Sequence, residues 1–301
     1  MKVFVTGGTG VVGTRAIPAL VADGHEVTAL ARSAAKAEVV RSLGGTPVEL
    51  DLFDADAVKG AVVGHDAVAN LATSIPPLSR AARSSAWEPN DRIRREGSRI
   101  LVDAALAAGA SRYVQESIAF PYVDGGSEWI DEDHPIDSSF GPFAGAAAAE
   151  AQAARFTAEG GTGVVLRFAA FYAPEASNVV TFNKVVRRLR VNPFFGDPDG
   201  YASFVHAEDA GSAVAAALRA PAGIYNVGDD EPLTRAEAGQ VLAAANGRRR
   251  ALTIPRLVRA LAPASAKRLA ASQRVSNARF KAATGWAPAH PSMRGSWPGT
   301  R

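Results

Sequence analysis

The sequence predicts an α/β protein: a doubly wound parallel sheet with a smaller C-terminal lobe. Three observations carry that expectation. Short apolar runs alternate with runs of helical spacing through the first 170 residues, a glycine-rich turn joins the first pair, and beyond residue 170 the alternation loosens into proline- and glycine-rich connections. Strands separated by helices need right-handed crossovers, which make the strands parallel and place helices on both faces.

In chain order, residues 2–6 form an apolar strand and 12–23 a helix closed by Gly24. Strands follow at 26–31, 46–50 and 67–71, separated by helices at 33–43 and 55–63. A long amphipathic helix at 92–108 ends at Gly109 and leads to a strand at 111–115, an alanine-rich helix at 144–159 and a strand at 163–168. Alanine favours helix but blurs where each helix ends. Strands at 203–206 and 223–227, with helices at 208–219 and 234–245, belong to the later half, and residues after Ser292 read as poorly structured. The division is a sheet domain at 1–170 and a lobe at 171–301, with elements of the two free to interleave.

Composition narrows the function. The chain has 301 residues, 47% hydrophobic, enough for a large core plus a lobe, and its net charge of +3 points to no nucleic-acid partner. The runs Arg187-Arg188-Leu189-Arg190 and Arg248-Arg249-Arg250 read as solvated faces. There is no cysteine, which excludes disulfides, thiolate catalysis and Cys-ligated metals. No apolar span or signal-like segment is visible, so the expectation is a cytoplasmic protein with no membrane partner. The acidic stretch from Trp129 to Pro135 reads as a solvated loop near a pocket mouth, and no metal is expected.

The turn after the first strand carries the chemistry. Gly7, Gly10 and Gly13 fall on a GxxGxxG spacing within Thr6-Gly7-Gly8-Thr9-Gly10-Val11-Val12-Gly13. One glycine permits a tight turn, one lets a pyrophosphate approach the backbone, and one lets helix and strand pack closely, while the helix N-terminus presents free N–H groups. This points to a Rossmann-type dinucleotide site formed by Gly7, Thr9, Gly10, Val11, Val12 and Gly13. The second strand ends in Arg32 and Ser33. An acidic residue there would accept from an adenosine ribose, whereas a guanidinium and a hydroxyl suit a 2′-phosphate. NADP is therefore expected over NAD, with NAD still open.

With these motifs the chain resembles the short-chain dehydrogenase/reductase superfamily in its extended, epimerase/dehydratase-like branch, over nearly its whole length. Asp51-Leu52 matches the segment that meets the adenine, Asn70-Leu71-Ala72, with Thr73 after it, the segment lining the cofactor, and Leu166-Arg167-Phe168 through Tyr172-Ala173-Pro174 the segment passing the nicotinamide. Phe204-Val205-His206-Ala207-Glu208-Asp209-Ala210 and Gly223-Ile224-Tyr225-Asn226-Val227-Gly228 resemble elements of the substrate lobe. The resemblance also implies a homodimer through the helices at 92–108 and 144–159.

The family's chemistry uses a Tyr, a Lys four residues later and a Ser or Thr after the fifth strand; the ammonium brings the phenol pKa from about 10 towards working pH. Here Ser117 fits the Ser role, but Phe143 stands at the Tyr position and Ala147 at the Lys position. Neither can move a proton. Three readings follow: hydride transfer with another acid, for which Tyr122 is the first candidate and Tyr172, Tyr201, His206 and Lys184 weaker ones; non-redox chemistry such as isomerisation, elimination or cyclisation; or an NADP-binding sensor without catalysis. His206 also reads as a structural hydrogen-bond partner. Phe120, Phe143, Ala147, Phe171, Tyr172 and His206 are the expected pocket residues, and their aromatic surfaces suit a small, largely apolar metabolite.

Overall fold

The computed structural model describes residues 1–77, 80, 83–262 and 264–299. In chain order the elements are β1 (Lys2–Thr6), α1 (Gly13–Ala22), β2 (Glu26–Ala31), α2 (Ala34–Ser42), β3 (Thr46–Glu49), α3 (Ala55–Val62), β4 (Ala67–Asn70), α4 (Glu88–Arg92), a π turn (Ile93–Gly97), α5 (Ser98–Ala107), β5 (Arg112–Ile118), β6 (Trp129–Ile130), α6 (Gly141–Ala158), β7 (Thr162–Phe168), β8 (Ala170–Tyr172), α7 (Ser177–Leu189), β9 (Tyr201–Ala202), β10 (Phe204–His206), α8 (Ala207–Ala217), β11 (Gly223–Val227), β12 (Leu233–Thr234), α9 (Arg235–Ala245), α10 (Arg256–Ala260), α11 (Ala264–Leu269), β13 (Arg274–Val275) and α12 (Ala278–Thr284).

Seven parallel strands form one sheet in the order β11-β7-β5-β4-β1-β2-β3. Central strands buried on both faces read as apolar runs, and β4 is buried at every residue. One face packs Val5, Ile17, Leu20, Val114, Leu166 and Val214 beneath α1 and α8; the other packs Phe4, Val58, Val68, Leu101, Tyr113 and Phe156 beneath α3, α5 and α6. Close packing of α1 on α8 needs Gly211, where an added Cβ would lie 2.6 Å from the Arg15 carbonyl carbon. Strand β11, from the C-terminal half, completes the sheet beside β7, so the chain crosses between the two bodies.

The smaller body has its own core of Tyr172, Val179, Phe204, Leu242, Met293 and Trp297. Its short sheets pair β8 with β10, β9 with β12 and β6 with β13. Two sequence expectations change here. The end of the chain is not poorly structured: Met293 and Trp297 are buried, the Trp297 indole stacks on Tyr172 at 5.6 Å, and its Nε1 donates to Asn183 Oδ1 at 3.0 Å. Its glycines and prolines conceal two large apolar anchors. The acidic stretch is likewise an anchored segment rather than a solvated loop, because Ile130 pairs with Val275 and the Glu132 carboxylate accepts from the Asn226 amide at 2.8 Å.

Candidate functional site

The predicted cofactor residues gather at the C-terminal edge of the large sheet. Gly7, Thr9, Gly10, Val11, Val12 and Gly13 form the β1–α1 turn; Leu71, Ala72 and Thr73 follow β4; Arg32 and Ser33 bracket the end of β2; Asp51 and Leu52 follow β3; Phe168 ends β7. Strands β1 and β4 are neighbours where the strand order reverses, and open α/β sheets leave a crevice at that switch point.

The turn fits a pyrophosphate. Gly7 has φ +72°, and a Cβ there would lie 2.3 Å from the Leu71 carbonyl oxygen. A Cβ on Gly13 would lie 2.2 Å from the Gly7 carbonyl oxygen, so α1 could not start so close to β1 with any larger residue. Gly10 N donates to Gly7 O at 2.9 Å and Thr14 N to Gly10 O at 3.0 Å, while the Val11 and Val12 amides find no acceptor among the described residues. Free amides opening a helix are what anionic oxygens need. Arg32 is exposed and makes no ion pair among the described residues. Ser33 caps α2, accepting from Lys36 N at 3.4 Å. Asp51 is exposed, its carboxylate accepting from Phe53 N at 3.0 Å, and Leu52 is buried over Gly97.

The region where the proton chemistry is expected is a closed polar chain. Phe143 and Ala147 face a narrow cleft shared with Pro121, Ser138, Glu150 and Arg167. Positions 143, 147 and 150 recur at the spacing of one helix face. Ser117 Oγ donates to Glu150 Oε1 at 2.6 Å. Arg167 grips the same carboxylate in a fork, Nε to Oε1 at 2.9 Å and Nη2 to Oε2 at 2.6 Å, and donates through Nη1 to Tyr122 Oη at 3.0 Å. Tyr122 Oη then donates to Asn226 Oδ1 at 2.8 Å. Tyr122 is fully buried, and burial pushes its phenol pKa up, with Arg167 pulling the other way. Its hydroxyl is committed on both sides and presents no surface to a substrate.

The other candidates fall into separate places. Phe120 is half-buried beside Pro121 of the cleft, whereas Phe171 packs with Phe168 at 5.3 Å on the α1 and α8 side of the sheet. Tyr172 lies in the core of the smaller body. Its ring meets His206 edge-on at 5.0 Å. His206 caps α8, Nδ1 accepting from Glu208 N at 3.4 Å, and burial followed by His290 holds its pKa below the usual value. Tyr201 pairs with Thr234 in the short β9–β12 sheet and Lys184 is exposed on α7. Ring nitrogens of His206 and His290 come within 4.8 Å of the Glu208 carboxylate, but His206 Nδ1 already accepts from Glu208 N and His290 Nδ1 lies 3.1 Å from the Asp209 carboxylate. A cavity of about 460 Å³ bounded by Trp129, Asp229, Asn277 and Lys281 shares no lining residue with the cleft.

Sequence reasoning missed Glu150, Arg167 and a second buried pair beside them. Arg94 Nη2 meets Glu116 Oε2 at 2.7 Å with both side chains almost wholly buried. Burial pushes the Glu116 carboxyl up to about 7, the Arg94 guanidinium opposing it. Arg167 had a readable signal, since a charge inside the apolar run Val164-Val165-Leu166-Arg167-Phe168 must find a partner. Removing half of a buried pair leaves an uncompensated charge, so Arg94→Met should cost about 3–5 kcal/mol of unfolding free energy. The double variant Arg94→Met/Glu116→Leu should recover most of that in urea titrations, and equal losses in the two variants would contradict this.

Comparison with known proteins agrees with this geometry. The profile described as "NAD dependent epimerase/dehydratase family" matches residues 3–228. A 3-diazoavenalumate denitrifying reductase from a Streptomyces species is 35% identical over 98% of each chain. A 4-hydroxy-2-methyl-3-oxo-4-farnesyl-3,4-dihydroquinoline-1-oxide ketoreductase from Stigmatella aurantiaca is 33% identical over 56% of this chain and 49% of its own. Among solved structures, Thermus thermophilus UDP-glucose 4-epimerase in complex with NAD superposes with a TM-score of 0.77 at 26% identity, covering 98% of this chain and 96% of that one.

Proposed function

The chain belongs to the NAD dependent epimerase/dehydratase family, and from that premise we propose that it is an NADPH-dependent reductase of a small, largely apolar diazo compound, acting on the diazonium form. Held by its pyrophosphate at the β1–α1 turn, the reduced dinucleotide would supply a hydride. The observation that carries the reading is the replacement of the proton-donating pair by Phe143 and Ala147 together with the enclosure of Tyr122. Carbonyl reduction needs a proton on oxygen; a diazonium does not. When the hydride pair forms the new C–H bond, the C–N pair departs with N2 and no proton is moved. The relative aligned over 98% of both chains carries "diazo" and "denitrifying" in its name.

The chain's own residues serve that reaction in three ways. The Val11 and Val12 amides and the helix they open hold the pyrophosphate, and Arg32 with Ser33 holds a 2′-phosphate. Ala147 puts no ammonium beside a cationic substrate, removing a repulsion that a lysine would impose. The Phe143 ring, 2% exposed, walls the cleft and excludes water.

A second reading is favoured by the 2.6 Å Ser117–Glu150 bond and by the Stigmatella ketoreductase: carbonyl reduction with Ser117 as a non-standard donor, its lost proton replaced from solvent. Turnover of an aryl diazonium with 4-deuterated NADPH in ordinary water separates the two. Deuterium at the former C–N carbon, one equivalent of N2, and rates within about threefold of wild type for Ser117→Ala and Tyr122→Phe are expected. Absence of N2, with alcohol formed from a ketone and at least 10²-fold loss in Ser117→Ala, the usual size of a lost acid, establishes the second reading instead.

A further inference from the structure

We propose that the substrate lobe docks on an anionic lipid bilayer through a corner where two arginine runs, far apart in sequence, converge. The first run, Arg187, Arg188 and Arg190, ends α7, with Arg190 at φ +55°, a left-handed conformation unusual for a residue with a Cβ. The second, Arg248, Arg249 and Arg250, follows α9. Backbone contacts lock the runs together: Arg248 Nη2 donates to Arg187 O at 2.7 Å, Leu252 N donates to Arg190 O at 2.7 Å, and Asn192 N donates to Leu252 O at 2.9 Å. Read separately, each run looked like a solvated face; the fold makes them one surface.

These six guanidinium groups take part in none of the ion pairs found among the described residues, whereas Arg15, Arg41, Arg92, Arg94, Arg99, Arg155, Arg167, Arg219, Arg279 and Arg294 each meet a carboxylate. Around the second run the sequence offers no counter-charge: from residue 238 to the end there are twelve Lys and Arg and no Asp or Glu. Six like charges held in one corner repel, and that repulsion is relieved by an external polyanion.

The apolar residues beside them select the occupant. Leu189 is 66% exposed and Leu252 51%, and four residues further along the chain α10 and the residue after it leave Leu257, Val258 and Leu261 81%, 55% and 88% exposed beside Arg256, while Arg259 pairs with Asp197. Protruding leucines ringed by arginine insert into a fluid, negatively charged interface. A nucleic acid gains nothing from bare leucine, and among the described residues no exposed tyrosine, phenylalanine or tryptophan stands in the patch to stack on bases or anchor a protein partner. No helix among the described residues is long and apolar enough to cross a membrane, so the contact is with the surface.

Co-sedimentation with large unilamellar vesicles tests this. The full chain should pellet with vesicles of phosphatidylcholine containing about one third phosphatidylglycerol and remain in solution with phosphatidylcholine alone, and the bound fraction should fall as salt rises. At about 1 kcal/mol per basic residue near the surface, Arg248→Ser/Arg249→Ser/Arg250→Ser should weaken binding on the order of a hundredfold. Leu257→Ser/Leu261→Ser should weaken it severalfold; that variant and Arg249→Ser/Arg250→Ser, which spares the Arg248–Arg187 contact, should keep the wild-type Tm and NADPH affinity. Equal pelleting with neutral and anionic vesicles, no pelleting at low salt, an unchanged triple-serine variant, or tighter binding to duplex DNA than to anionic vesicles would each overturn the proposal.

Discussion

Gly13→Val should weaken dinucleotide binding roughly a hundredfold while leaving a folded protein. The residue lies where a Cβ would sit 2.2 Å from the Gly7 carbonyl oxygen and 2.6 Å from Gly8 Cα, both backbone atoms that cannot swing aside as a side chain could. Relief requires α1 to move off β1, which withdraws the Val11 and Val12 amides from the phosphate position. Overpacking of this severity costs about 3 kcal/mol, and if the displacement is made good only by giving up phosphate contacts, affinity falls roughly a hundredfold. Calorimetric titration with NADPH and NADP reads the effect. Arg32→Asp provides the contrast, since it leaves the turn intact: NADPH affinity should fall about tenfold or more while NADH affinity is retained or improved. A Gly13→Val protein that binds NADPH like wild type would remove the turn from the cofactor site, and an unchanged NADPH/NADH ratio in Arg32→Asp would remove the arginine from the 2′-phosphate.

The second large effect is on stability against pH. Asp229 is 2% exposed just beyond β11, and no Arg, Lys or His pairs with its carboxylate among the described residues. Burial pushes its pKa up to about 8; the Met293 amide opposes this, while Glu231, Asp230 and Asp209 add to it. The folded protein therefore keeps a proton on Asp229 that the unfolded chain has released above its ordinary value of 3.8. With more protons bound in the native state, unfolding free energy falls as pH rises, by on the order of 1 kcal/mol per unit between about 4 and 8, and levels off above. This slope is opposite in sign to that of a salt-bridged aspartate. Asp229→Asn carries no proton to lose, so it should be more stable than wild type at pH 8 and show a flatter profile. Urea unfolding at pH 5, 6.5 and 8 measures it; a variant with the wild-type slope would mean that Asp229 does not titrate in this range.

Much of the scaffold could be read directly. The strands at residues 2–6, 26–31 and 223–227 form where the apolar runs place them, because a strand buried on both faces has no way to hide its composition. The helix at 92–108 was less legible: it is α4 and α5 joined by a π turn at Ile93–Gly97. Gly97 packs beneath Leu52 there, a close approach that helical periodicity does not encode. In the site, the loss of the Tyr and Lys was visible as Phe143 and Ala147. The fate of Tyr122 was not, because its partners Arg167 and Asn226 lie 45 and 104 residues away.

The sequence by itself determined what depends on local backbone needs: the β1–α1 turn, where Gly13 is imposed by Gly7 and Gly8 and Gly7 takes a positive φ, and the chemistry that Phe143 and Ala147 cannot perform. The tertiary structure alone decided which polar groups meet. A buried hydroxyl, carboxylate or guanidinium must find a partner wherever the topology supplies one, so Ser117 met Glu150, Arg94 met Glu116, the terminal Trp297 met Tyr172, and two arginine runs some sixty residues apart became one surface.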